Sequence, residues 1–312
     1  MKSAVCIPLF ASALWAAAPS VTWITAVGGS VTRDRAGQVT TVDLSTSWVS
    51  DSDLPGLAEQ GSLTKLDLSM TRITDRGLLA LKPLSNLTDL NLYYAEMVTD
   101  QGLAVLKNLK GLKRLNLRGT KITDSTLQTL NSLTSLESLD IGFAQVTDSG
   151  LLRLSALSNL KEFSVGGNKL TDAGLQTLRQ MPALTSLDLS GSQRTDSGLW
   201  SVSLTESGLA TISTLKSLHH LRLNGLGISP RGLEQLNGLS KLARLDLQSC
   251  GRINDEAVPI LKSFPALQLV DVSAAAVTPK GLTALHEAKP GLRIIASDFN
   301  PTKPVMPNGP AN

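Results

Sequence analysis

The stretch LTKLDLSMTRITDRGLLALKPLSN, residues 63–86, decides the fold, because variants of it return along nearly the whole chain. Aligning the first apolar residue of each L-x-L triplet gives Val42, Leu66, Leu90, Leu115, Leu139, Phe163, Leu187, Leu221, Leu245 and Val270. The steps between them are 24, 24, 25, 24, 24, 24, 34, 24 and 25 residues. A regular period in the twenties predicts a stack of like units, each giving one short strand and one return segment.

The residues inside a unit explain why units must stack. Side chains alternate along a strand, so Leu66 and Leu68 point the same way, and Leu78, Leu81, Leu84 and Leu87 recur at three-residue spacing on one side of the return segment. One unit cannot bury both apolar faces alone, and about three are the minimum for stability.

Eight or nine residues after the strand leucine comes a helix-start phrase: Thr74-Asp75, Thr99-Asp100, Thr123-Asp124, Thr147-Asp148, Thr171-Asp172 and Thr195-Asp196. Threonine reads as the N-cap and aspartate as the first helical residue, where negative charge suits the helix dipole. Later units carry Ser229-Pro230 and Thr278-Pro279, and proline is tolerated at that first position because its missing N–H has no use there. Ile73 before the cap and Leu78 at the fourth helical position fit a hydrophobic staple. Glycine at the third position (Gly77, Gly102, Gly150, Gly174) removes the usual capping-box glutamate, so the cap is one-sided. These aspartates read as structural and not as a catalytic set.

At L-x-L-x-x-T-x-I-T-D-x-G-L, residues 66–78, the chain resembles leucine-rich-repeat proteins, specifically the ribonuclease-inhibitor-like branch with its F-box adaptor repeats and bacterial G-A-L-A-type proteins. The resemblance covers residues 42–296. It implies an α/β fold, a curved right-handed solenoid of about ten repeats with a parallel sheet on the concave face and helices outside, and a role in protein recognition without catalytic residues. No F-box fits in the short region before the repeats, and an N-terminal leader speaks against a eukaryotic ubiquitin-ligase adaptor.

Outside the repeats, residues 1–18 (MKSAVCIPLFASALWAAA) pair one lysine with an apolar run and small residues, the pattern of a secretory signal peptide. An uncleaved anchor is the alternative, since no charge occurs between Lys2 and Arg33. Residues 19–41 read as an N-terminal cap, a short helix containing Trp23, Ile24 and Val27 followed by a hairpin around Asp34-Arg35-Ala36-Gly37. Residues 297–312 carry four prolines and read as disordered. Of the two cysteines one lies in the leader, so no disulfide forms within the mature chain, which is compatible with export without demanding it. A formal charge of +3 is too mild to imply nucleic acid.

The candidate partner-binding residues come from the sheet face. The position between the two strand leucines reads Asp43, Asp67, Asn91, Asn116, Asp140, Ser164, Asp188, Arg222, Asp246, Asp271, a row of carboxylates with Lys65, Arg114, Arg222 and Arg244 nearby. Both tyrosines, Tyr93 and Tyr94, fall together in a chain only 4% aromatic, with Arg118 in the same row one unit on and Phe143 equivalent to Tyr94 further along. Tyrosine and arginine dominate binding hot spots, so this cluster is the leading candidate patch, with Asp67, Asn91, Arg114, Asn116 and Asp140 around it.

The 34-residue step holds ten extra residues near 194–204, and the 16-residue spacing from Thr205 to Leu221 makes Thr205 the true helix start. Trp200 in that insertion is either a binding anchor or packing against the neighbouring unit. Cys250 falls in an inward column and reads as a small buried filler.

Chemistry is missing. His219 and His220 begin a strand and point to opposite faces, His286-Glu287 lacks a second histidine four residues after the first, and no G-x-S-x-G, P-loop or G-x-G-x-x-G occurs. The expectation is a noncatalytic, exported, protein-binding module without cofactor or metal. Binding of an envelope glycan by the same face is the first alternative, and a hydrolase using the aspartate row the second.

Overall fold

Each L-x-L triplet forms a three-residue strand, and stacking puts like residues side by side: Leu66 pairs with Leu90, Leu90 with Leu115, Leu115 with Leu139, and Leu139 with Phe163. In this computed structural model residues 21–297 are described. The leader expected over 1–18 and the tail expected over 297–312, apart from Ser297, lie outside the described residues.

The sheet has twelve strands in an order that follows the sequence, apart from one excluded hairpin. Its first pair, Ser30–Arg33 with Val39–Asp43, is antiparallel, and Val39–Asp43 then pairs in parallel with Lys65–Asp67. The hairpin strand is therefore also the first strand of the parallel ladder. A short helix, Thr22–Ala26, precedes it. At the other end Arg293–Ile295 adds a parallel strand beyond the ten aligned triplets. Among the described residues no helix is long and apolar enough to cross a membrane.

The return segments are short. An α-turn such as Asp75–Leu78 or Asp148–Leu151 passes into a 3-10 turn, Leu79–Leu81 or Leu152–Leu154. Three residues per turn is the 3-10 period, which explains the three-residue spacing of the leucines. Leu66, Leu68, Ile73, Leu78, Leu81, Leu84 and Leu87 are all buried between sheet and return segments.

The T-D-x-G phrase does more than cap its own helix. Thr99 Oγ1 accepts from the N–H of Gln101 at 3.3 Å, as the N-cap expectation requires. Its own N–H and hydroxyl donate to both oxygens of Asp75 in the preceding repeat, at 2.7 and 2.6 Å. The same fork joins Thr74 to Asp51, Thr123 to Asp100, Thr147 to Asp124, and Thr171 to Asp148. Aspartate at the first helical position is thus the acceptor for the next cap.

This fork also accounts for the third-position glycine. A Cβ on Gly102 would lie 2.7 Å from Asp75 Cα, and one on Gly150 would lie 2.6 Å from Asp124 Cγ. One repeat has threonine there. Thr126 donates its N–H to Asp100 at 3.1 Å, and its hydroxyl bonds to the same oxygen, so the larger residue joins the fork. Burial pushes the Asp100 carboxyl up, but the donors of Thr123 and Thr126 outweigh it and hold the carboxyl below its ordinary value.

The ten extra residues form an antiparallel hairpin, Ser192–Thr195 with Gly198–Ser201. Thr195-Asp196 therefore starts no helix, because Thr195 ends a strand and Asp196 lies in the turn. Thr205 takes the cap, accepting from Ser207 N–H at 3.2 Å and donating its own N–H to Asp172 at 3.0 Å. The hairpin is extruded and the ladder closes beneath it, with Leu187 beside Leu221.

Candidate functional site

Strands of three residues end abruptly, and the middle-column residues serve that ending. Asp67 Oδ1 accepts from Ser69 N–H at 2.8 Å, Asn91 Oδ1 from Tyr93 at 3.1 Å, Asn116 Oδ1 from Arg118 at 3.0 Å, and Asp140 Oδ1 from Gly142 at 2.8 Å. Asp188 and Asp271 do the same for Ser190 and Ser273. Each satisfies a backbone donor that has left the ladder. The row also links sideways, with Asn91 Nδ2 donating to Asp67 at 2.8 Å. Its acidity is accordingly first a property of the turn. Among the described residues no cluster of three or more His, Cys, Asp or Glu side chains is placed to hold a metal ion.

The flanking cations meet only part of that row. Arg114 pairs with Asp89 in its own column, Arg222 with Asp188 at 3.6 Å, and Arg118 with Asp140 at 3.8 Å. Lys65 makes no ion pair among the described residues. Two basins open on this face. One of about 510 Å³ spans Asp43, Asp67, Asn91, Arg114, Asn116 and Asp140, and one of about 370 Å³ lies between Arg118, Asp188 and Arg222. In the second basin burial, with Asp188 adding to it, raises the Asp140 carboxyl above its ordinary value, against the opposing pull of Gly142 N–H and Arg118.

Asp246 departs from its column. Its side chain is 4% exposed and is held by three ring and guanidinium nitrogens: His220 Nε2 at 2.9 Å, Arg244 Nε at 2.9 Å and Arg222 Nε at 3.3 Å. The backbone donor it would otherwise satisfy, Gln248 N–H, turns to Asn224 of the preceding repeat at 3.0 Å. His219, by contrast, places its Nδ1 against Ser217 O at 2.7 Å. Sequence reading placed Asp246 among equivalents; the signal for its difference is histidine and arginine at the strand starts beside it. Burial raises the Asp246 carboxyl, yet His220 and Arg244 overcome this and hold it at about 2, below the usual 3.8.

A depressed carboxyl stabilises the fold above its unfolded value and loses that contribution as pH falls through the folded value. The urea midpoint should therefore drop between about pH 4 and pH 2 more steeply in the wild type than in Asp246→Asn. Parallel curves for the two proteins would show that the cluster contributes nothing to acid stability.

The aromatic candidates stand at the turn that leaves the sheet. The position after Tyr93, Arg118 and their equivalents has positive φ in every aligned repeat: Thr46, Met70, Tyr94, Gly119, Phe143, Gly167, Gly191, Gly225, Ser249 and Ala274. Four repeats use glycine, for which this conformation is free; Tyr94 (φ 50) and Phe143 (φ 52) adopt it at a cost of about 1–2 kcal/mol each. Their rings occupy the space that glycine leaves in the following repeats. A Cβ on Gly119 would lie 2.9 Å from Tyr94 Cδ1, and one on Gly191 2.7 Å from Phe143 Cζ.

The four central candidates form two pairs along this edge. Tyr93 and Tyr94 meet edge to face with centroids 4.6 Å apart, and the Arg118 guanidinium lies 4.4 Å from the Phe143 ring centroid. Arg118 reaches that place because residue 142 is glycine; a Cβ there would lie 2.6 Å from Arg118 Nη1. The hairpin joins this edge through Gln193, whose Nε2 donates to Ala144 O at 2.6 Å and Gly167 O at 2.8 Å. Trp200 is half-buried, with its indole N–H donated to Ser197 at 2.9 Å within the hairpin, and Leu199 beside it is 65% exposed. Asp67, Asn91, Asn116 and Arg114 lie on the sheet floor, apart from this edge. Cys250 is buried, its Sγ 3.1 Å from Leu223 O, and burial raises its thiol.

A Leucine Rich repeat family model matches residues 62–82, 132–155 and 156–178. Among solved structures, the chain is similar to an internalin (inlF) of Listeria monocytogenes str. 4b F2365, with 22% identity and a TM-score of 0.58 over 79% of this chain and 70% of that one. It is also similar to internalin C2 (inlC2) of the same strain, with 25% identity and a TM-score of 0.54 over 67% of this chain and 81% of that one. A TDR receptor aligns at 17% identity and a TM-score of 0.53, over 83% of this chain and 43% of the receptor. No curated protein matches the sequence significantly. With its in-register leucine ladder and matching repeat phrases, the fold is that of a leucine-rich-repeat solenoid.

Proposed function

We propose that this chain is a noncatalytic module that recognises a protein partner through the patch formed by Tyr93, Tyr94, Arg118 and Phe143. The observation that carries the reading is the pair of ring contacts that three consecutive repeats place along this edge, Tyr93 against Tyr94 and Arg118 over Phe143. The aromatic rings supply large rigid contact area at low entropic cost, and arginine is enriched beside such rings in binding hot spots. Leucine-rich-repeat folds serve protein interaction in general, which agrees with this use of the edge. Export belongs to the same proposal and rests on the leader composition of residues 1–18.

Crosslinked capture from envelope extract, comparing the wild type with Tyr93→Ala/Arg118→Glu, tests the reading. Loss of a captured polypeptide from the double variant, with circular dichroism unchanged, is the expected result. Equal capture by both proteins would move the site away from this patch. Capture of envelope glycan in place of protein would replace the proposed partner class.

A further inference from the structure

Exposed apolar side chains are not spread evenly over the surface. Among the described residues the exposed large apolar side chains are Trp48, Met70, Met97 and Leu199, at 86%, 58%, 53% and 65% in connections from strand to helix, and Leu79 and Leu152, at 64% and 50% in return segments. Met70 occupies the same positive-φ position as Tyr94 and Phe143, at φ 56. The apolar edge therefore continues beyond the aromatic patch on the N-terminal side, and on the other side the column reads Gly167 and Gly191. At its N-terminal end it opens into a groove of about 1030 Å³ lined by Trp48, Met70, Arg72, Arg76 and Leu79. Its other end is the hairpin that carries Leu199.

Two positions after this column in sequence, the exposed residues include Arg72, Lys121 and Lys169, and Arg194 is exposed on the hairpin. None of these four makes an ion pair among the described residues. The carboxylates exposed along this line are Glu96 and Asp196. An apolar column with a largely uncompensated cationic border is complementary to a ligand that is both apolar and acidic. Glu96 and Asp196 interrupt the cations, which disfavours a continuous phosphate backbone.

The width of the column selects the form of that ligand. It is one side chain wide, whereas an amphipathic helix presents a stripe at least about 100° across. Adjacent repeats are about 4.8 Å apart, so Met70 to Gly191 spans roughly 24 Å, the length of about seven extended residues.

We propose, building on the protein-recognition reading, that this edge binds an extended acidic polypeptide segment. Its apolar side chains rest on Met70, Tyr94, Phe143 and Leu199. Its alternate carboxylates face Arg72, Lys121, Lys169 and Arg194.

Fluorescence anisotropy of the purified chain with a labelled nine-residue peptide alternating acidic and leucine positions tests this. Comparison probes are the lysine–leucine and glutamine–leucine versions, an all-glutamate peptide and a single-stranded oligonucleotide. The acidic–leucine peptide should bind saturably and weaken with salt. Binding should fall about tenfold in Phe143→Ala and about tenfold in Lys121→Glu/Lys169→Glu, whose changes are both on exposed side chains. The proposal is overturned by absent binding, by binding to either variant as tight as to the wild type, or by equal affinity for the all-glutamate peptide or the oligonucleotide. If no acidic peptide binds while Tyr93→Ala/Arg118→Glu still loses its captured partner, protein recognition stands and the acidic-segment assignment falls.

Discussion

Gly150→Ala is expected to destabilise the protein by about 2–3 kcal/mol, read as a lower urea midpoint at unchanged m-value. Helix propensity alone predicts the opposite sign, because alanine is favoured over glycine inside a helix by about 1 kcal/mol. The clash decides. The new methyl would sit 2.6 Å from Asp124 Cγ and 2.9 Å from Asp124 Cβ. Asp124 cannot withdraw without releasing Thr147, which donates its N–H and hydroxyl at 2.8 and 2.6 Å. Gly251→Ala is the matched control, since nothing lies within 4 Å of a Cβ there and φ is not positive. That variant should stay within about 0.5 kcal/mol of the wild type. A stabilised Gly150→Ala protein would show that the carboxylate moves freely and that the fork is incidental.

Asp124→Ala is the second large effect, expected at about 2–3 kcal/mol because two hydrogen bonds to a charged acceptor are lost while Thr147 stays half-buried. Water reaches part of that site, which keeps the loss below the sum of two fully buried bonds. The two changes should also couple. With the carboxylate gone, alanine at position 150 meets little, so Asp124→Ala/Gly150→Ala should be less destabilised than the sum of the singles by about 1–2 kcal/mol. Strict additivity in that cycle would mean the glycine is present for another reason. Repeat arrays pass stability between neighbours, so a broken fork at this central position should also broaden the unfolding transition.

The predictions differ in how far the sequence alone could have led to them. Threonine as N-cap and the strand leucines followed from residue type and spacing. The partner of Asp75 did not, because Thr99 lies 24 residues away and becomes adjacent only when two repeats stack. Arg118 and Phe143 likewise share one turn region only through that stacking, and the glycine at 142 that admits the guanidinium gave no local sign of its purpose. Asp246 shows the same limit from the other side, since a residue that looks equivalent to Asp67 and Asp188 is claimed by His220 and two arginines.

The sequence by itself determined the period, the inward leucines, the helix starts and the place where ten residues are extra. Those properties repeat at fixed spacing and depend on contacts within one unit or between identical positions of neighbouring units. The tertiary structure decided which polar residues are bound to turns, where the aromatic edge runs, and that the extra residues form a hairpin beside it. These depend on side chains from different repeats meeting at an edge, where positive-φ backbone and missing Cβ atoms in one repeat make room for rings and guanidinium groups from another.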